Sequence, residues 1–423
     1  MNRILAIVTA FVLVLGMAST AQASGTDVTV GADITVLGTY TDNYDFTDAN
    51  KDAISSLNEY VHLYIDNFYT EKVSTHIELS LAYYVTDKDN VSVELAQGYI
   101  KVEEFLDKSI NLKVGKMSVK WQLRPTWGAG TFENIYPYGM NSAFVINVNA
   151  PGFSFEYSFN ENVALTLAWY KLLEGSVAGD NANDIDLYLV RLDYKLQQNS
   201  KFFAAFLFYD DQWDKTQINK TLIGNMWVLN AGIDYFIQDE ALELYAEFAY
   251  QAGTTYPGQA DLGSVAFNLG AEYTFGDQQS TPYIGLDVTY FQGQKTGTPG
   301  TAAYNHFGAD FTRTLIAEND SNVLFDPAVV PGWMGVKLVG GMKSVMDDKI
   351  ALDFIFAWFS ANGDMPGGAG KGLGYEFDAV ASYLYTEDLV FSLGFGYFKA
   401  DKDLGGATTD GTWLAILSCT ITF

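Results

Sequence analysis

The chain has 423 residues, 51 acidic against 24 basic side chains, a formal net charge of −27 and one cysteine. That acidity makes nucleic acid a poor partner, because neutralising phosphate takes Lys and Arg. A single cysteine permits neither an internal disulfide nor covalent c-type haem, and Cys419 lies far from where a lipid-anchored amino terminus would need it.

The chain opens with Arg3, an apolar stretch over 4–17 and small residues ending in Ala21-Gln22-Ala23. This order predicts a cleaved secretory signal peptide at 1–23, with 24–423 as the exported part. Beyond it no run approaches the length of about eighteen apolar residues that a spanning helix needs. A membrane-crossing form would therefore be a closed β-barrel, the other structure that pairs every backbone polar group within itself.

Pattern supports that form. Val28, Val30, Ala32, Ile34 and Val36 alternate with Thr29, Gly31, Asp33 and Thr35, the period of two that marks a strand. The same grammar returns at Val73, Thr75, Ile77, Leu79 and Leu81, at Trp227, Leu229, Ala231, Ile233 and Tyr235, and at Leu242, Leu244, Ala246, Phe248 and Tyr250. About eighteen segments of roughly ten residues follow one another, each long enough to cross a bilayer at a tilt.

Short connections near 69–71, 160–162, 197–201, 238–240, 276–280, 346–349 and 386–388 alternate with long ones at 41–56, 118–150, 172–183, 210–224, 292–331, 360–373 and 400–411. In outer-membrane barrels short turns face the periplasm and long loops face outward. A soluble sandwich would instead carry its apolar face inward and grow loops at either end. Trp169, Trp227, Tyr250, Trp358 and Trp413 sit near strand ends, where aromatic girdles form. Cys419 falls on the lipid-facing parity of the last strand as a small apolar residue.

That last strand runs Trp413, Ala415, Leu417, Cys419, Ile421, Phe423 on one face, and the terminal Phe resembles the carboxy-terminal signature of bacterial outer-membrane proteins. A second resemblance covers 96–130. There Gln97-Gly98-Tyr99, Leu112-Lys113-Val114-Gly115-Lys116 and Trp127-Gly128 are similar to the fourth and fifth strands of the general, phosphate-selective and alginate-export porins of Gram-negative bacteria. These resemblances imply an all-β antiparallel barrel of about eighteen strands, sixteen to twenty being open, in the outer membrane. They imply lipid and small hydrophilic solutes or ions as partners, allow a homotrimer, and imply no cofactor and no enzyme activity.

Porins of this size fold a third outer loop into the bore. By position that loop is 118–150, which makes Lys120, Arg124, Trp127, Glu133, Tyr136 and Tyr138 candidates for a constriction. Strand parity points Asp33, Asp66, Glu78, Asp234, Glu243, Glu247, Asp287 and Asp353 into the lumen, with Lys113 and Arg191. Lumenal carboxylates favour cations, so a cation-leaning diffusion channel is expected. Phosphate selectivity is not, because only Arg124, Arg191 and Arg313 follow the signal.

Two histidines add a sharper possibility. A turn centred near Tyr69 would set His62 and His76 side by side across two strands, about five ångströms apart at Cβ. With Glu78 they would form a candidate metal or proton site. One alternative function is a barrel sheath around a separate multihaem cytochrome in a trans-membrane electron conduit. A hydrolase would need a nucleophile beside a base, and Ser74 or Ser80 near His76 is the nearest approach.

Overall fold

The computed structural model describes residues 27–423 apart from 44–52, 85–90, 121–122, 124–128, 130, 132–144, 174–184, 198, 212–222, 238–240, 256–261, 276–280, 294–313, 321–331, 364–369 and 405–410. The strands are β1 (Asp27–Asp42), β2 (Ile54–Thr70), β3 (Val73–Tyr84), β4 (Val91–Val102), β5 (Ile110–Lys120), β6 (Asn147–Ser158), β7 (Val163–Leu173), β8 (Ile185–Gln197) and β9 (Ser200–Asp211). They continue with β10 (Ile223–Ile237), β11 (Leu242–Thr255), β12 (Leu262–Thr274), β13 (Pro282–Phe291), β14 (Trp333–Val345), β15 (Ile350–Ala361), β16 (Gly372–Thr386), β17 (Leu389–Ala400) and β18 (Gly411–Thr422). Each pairs antiparallel with its sequence neighbours. β1 also pairs with β18, from Asp33 opposite Thr422 to Asp42 opposite Trp413, so the eighteen-stranded sheet closes.

Closure removes the free edge, and the two faces then divide by polarity. Leu338, Phe356, Leu393 and Leu417 are each half or more exposed, while the residues between them along the strands are buried. A soluble sandwich would bury these side chains. Their outward alternation instead requires lipid. Aromatic pairs such as Trp227 with Tyr250 (5.4 Å between rings) and Tyr397 with Trp413 (4.3 Å) stand on the same outer face.

Connections alternate in length as the pattern predicts, and strands also meet at 85–90, 103–109 and 256–261, which the alternation does not mark. In the β2–β3 hairpin the turn lies at Glu71 and Lys72, two residues beyond its predicted centre. Thr70 explains this: its Oγ1 accepts the backbone N–H groups of Lys72 (3.2 Å) and Val73 (3.0 Å), extending β2 before the chain reverses. The predicted pairing of His62 with His76 is thereby corrected. His62 stands opposite Ser80, and His76 opposite Asp66.

The wall is thinnest between β4 and β5. Ladder pairing there covers only Gly98 to Val102 against Lys116 to Leu112, although β4 pairs with β3 up to Val91 and β5 with β6 up to Lys120. At the point of divergence Gly115 has φ +134, and a Cβ there would lie 2.3 Å from the Gly98 carbonyl oxygen. Side chains bridge the base of the seam: Ser118 N donates to Gln97 Oε1 (3.2 Å), and Lys116 Nζ donates to Glu94 Oε1 (2.9 Å) and Leu95 O (2.6 Å).

Candidate functional site

The interior of the barrel carries clustered buried charge, and inserted chain covers part of it. From the connection between β5 and β6, Ala129 and Thr131 donate their backbone N–H groups to Asp353 Oδ1 (2.7 Å) and Oδ2 (3.0 Å). The Thr131 hydroxyl bonds Oδ2 as well, and the Tyr283 hydroxyl bonds Oδ1. Asp353 is on β15, nearly opposite β5 and β6 in the strand order. This connection therefore crosses the bore.

The connection between β13 and β14 also enters. Its π-helical turn π1 (Ile316–Asp320) begins with the Ile316 and Ala317 N–H groups on Glu376 Oε1 (2.6 Å) and Oε2 (2.9 Å), while Leu315 N bonds Asp378 Oδ2 (3.2 Å). Carboxylates suit the amino end of a helical turn, where unsatisfied N–H groups converge. Glu318 reaches Lys337 Nζ (2.8 Å), which also contacts Asp287 Oδ1 (3.3 Å) and Thr289 Oγ1 (3.2 Å). Asn268 and Tyr245 complete the shell around Asp287, at 2.6 and 2.9 Å from Oδ2. Lys337, Asp287 and Glu318 are wholly buried, as an ion pair must be hydrogen-bonded to survive away from water.

The inward face of β1 to β4 stays partly accessible. Here His62 Nδ1 lies 2.8 Å from Glu78 Oε1, His76 Nδ1 lies 2.8 Å from Asp66 Oδ1, and His76 Nε2 lies 3.7 Å from Glu78 Oε2. The result is an alternating row Asp66, His76, Glu78, His62, continued by Ser80 Oγ at 3.3 Å from His62 Nε2. Gln97 Nε2 donates to Glu78 Oε2 (2.5 Å), Tyr99 stacks on His76 with centroids 5.1 Å apart, and Lys113 sits over the Tyr99 ring. The side chains of His62, His76 and Glu78 are 16–18% exposed and that of Asp66 is 33%.

Solved structures resemble this fold. The model superimposes on Pseudomonas aeruginosa OpdL with a TM-score of 0.58 at 11% identity, covering 94% of this chain and 99% of that one. For OprD of the same organism the values are 0.55, 14%, 93% and 95%. For OpdK, solved with vanillate, they are 0.56, 10%, 93% and 98%. The fold is that of an outer-membrane porin. No family model matches the chain and no curated protein matches it.

Within this porin fold, Asp33, Asp66, Glu78, Lys113, Arg191, Asp234, Glu243, Glu247, Asp287 and Asp353 all occupy inward parity. They separate into two groups. Asp234, Glu243, Glu247, Asp287 and Asp353 are buried, with Asp287 and Asp353 committed to the bonds above, whereas Asp33, Asp66, Glu78, Lys113 and Arg191 keep contact with the open bore. Arg191 is itself held by Asp193, with Nη2 at 2.7 Å from Oδ1, above the Phe203 ring.

Of the constriction candidates, Arg124, Trp127, Glu133, Tyr136 and Tyr138 lie outside the described residues. Lys120 is corrected: β5 runs through it, and because Met117 and Val119 are buried while Ser118 and Lys120 are exposed, it shares the outer parity of Val114. His62, His76 and Glu78 do come together, but as hydrogen-bonded pairs, and no metal-holding group of His, Cys, Asp or Glu forms among the described residues. Sequence reasoning missed Thr131 and Glu318. Both lie in long connections without periodicity, so no sequence signal marks their partners, Asp353 on the far wall for Thr131 and Lys337 on β14 for Glu318.

Proposed function

We propose that this chain is a passive diffusion channel for small hydrophilic solutes or ions in the outer membrane, exported with loss of 1–23 and leaning toward cations. The observation that carries the reading is the inverted polarity of a closed wall whose bore is narrowed by its own crossing loop. A pore filters by diameter and by the charges that line it. Vanillate, the solute named for OpdK, is an anion, whereas the accessible bore here presents Asp33, Asp66 and Glu78 against Lys113, and Arg191 is held on Asp193. That balance favours cations. The sheath reading gains nothing from this interior, because a crossing loop tied to Asp353 occupies space a folded cytochrome would need.

The test is a planar-bilayer recording of purified protein under a potassium chloride gradient. Stepwise conductance with a cation-selective reversal potential supports the proposal, and D353A, which frees the crossing loop, is expected to raise the unit conductance. Anion preference would overturn the selectivity, and an absence of conductance would overturn the channel.

A further inference from the structure

The row of titratable groups on β1 to β4 serves neither loop attachment nor wall closure, yet its geometry is complete. Asp66, His76, Glu78 and His62 alternate, each imidazole held through Nδ1 by a carboxylate oxygen. The groups facing them from neighbouring strands are Asp33 on β1, directly opposite His62; Tyr64 on β2, opposite Glu78; Glu94, Gln97, Tyr99 and Lys101 on β4; and Lys113 on β5, above Tyr99. Lys101 is drawn away by Glu103, its Nζ lying 2.5 Å from Oε1, and Glu94 by Lys116.

Imidazole is the ordinary side chain whose charge changes between about pH 5 and pH 8. With both rings neutral the row carries the two negative charges of Asp66 and Glu78. With both protonated it carries none. Because the loops bury the carboxylates of the opposite wall, Asp33 and this row supply the acidic charge that a passing ion meets on β1 to β4. Charge next to a low-dielectric wall acts more strongly than in bulk water.

We infer that His62 and His76 determine the charge selectivity of the bore, admitting small cations when neutral and losing that preference as they take up protons. The inference rests on the ion-conducting reading above. It differs from a metal site because no group of three or more His, Cys, Asp or Glu side chains placed to hold an ion forms among the described residues.

The experiment compares wild type with H62Q/H76Q by reversal potential under a potassium chloride gradient at about pH 8 and about pH 5. The wild-type cation-to-anion permeability ratio is expected to fall about threefold or more on acidification, and the double variant to hold nearly the same ratio at both values. Equal shifts in the two proteins overturn the inference, since the titrating groups would then lie elsewhere, and so does a wild type indifferent to pH. Steady conductance with pH-independent selectivity thus removes this inference alone, whereas no conductance at either pH removes the channel reading with it. If glutamine at these positions impairs insertion, diethyl pyrocarbonate applied to the inserted H306Q chain addresses the same two rings of the three in the sequence. Loss of the pH response supports the assignment, and its persistence overturns it.

Discussion

Lys337 shows how one side chain can hold the interior together. Its ammonium group bonds the wall, through Asp287 and Thr289, and the inserted turn, through Glu318, with all three charges buried. Removing only the cation leaves two uncompensated carboxylates, for which about 3–5 kcal/mol of destabilisation is typical. K337M is therefore expected to lower the urea midpoint of the folded barrel in micelles sharply, and the triple variant K337M/D287N/E318Q to recover most of the loss. Parity made Asp287 recognisable as an inward residue, and Lys337 stands directly opposite it on β14. Glu318 was not recognisable in this way, because a residue in a long loop has no strand periodicity to place it.

At the scale of the strand, position depends on turn chemistry. The predicted β2–β3 hairpin had its strands and faces correct, but Thr70 caps the turn later than expected, and every cross-strand pair moves with it. The two histidines remain inward and are interleaved with carboxylates instead of meeting. The β4–β5 seam is a second such feature. A ladder that stops at Gly98 leaves β4 amides in 91–97 without a partner strand on that side, so those pointing toward β5 should exchange with deuterium much faster than amides of β11, which is laddered on both sides. Equal protection would mean that other chain seals the seam.

For the molecule as a whole, stability also depends on an outer surface that stays apolar against lipid. Leu338 is half exposed at the middle of β14. L338R places a charge against hydrocarbon and is expected to cost about 2–4 kcal/mol if it lies near the midplane. T166R, on the inner face of β7 beside Arg191, should be far less costly because it stays in the aqueous bore. Refolding titrations into detergent or lipid distinguish the two, and equal effects would contradict the assignment of faces.

The barrel itself was legible in the residues. Strict alternation at period two says which side chains share a face, and connection length says which strand ends share a side; both are local properties, and local patterns survive in a linear string. Strand number, outward aromatics and inward charges followed from them. What the tertiary structure alone decided was the use of those charges. Whether Asp353 lines water or holds Thr131, and whether Glu376 attracts an ion or receives the amides of Ile316 and Ala317, depends on loops that return across the bore. Contacts of that kind join positions tens to hundreds of residues apart through chain with no repeating pattern, so only the closed wall brings them within reach.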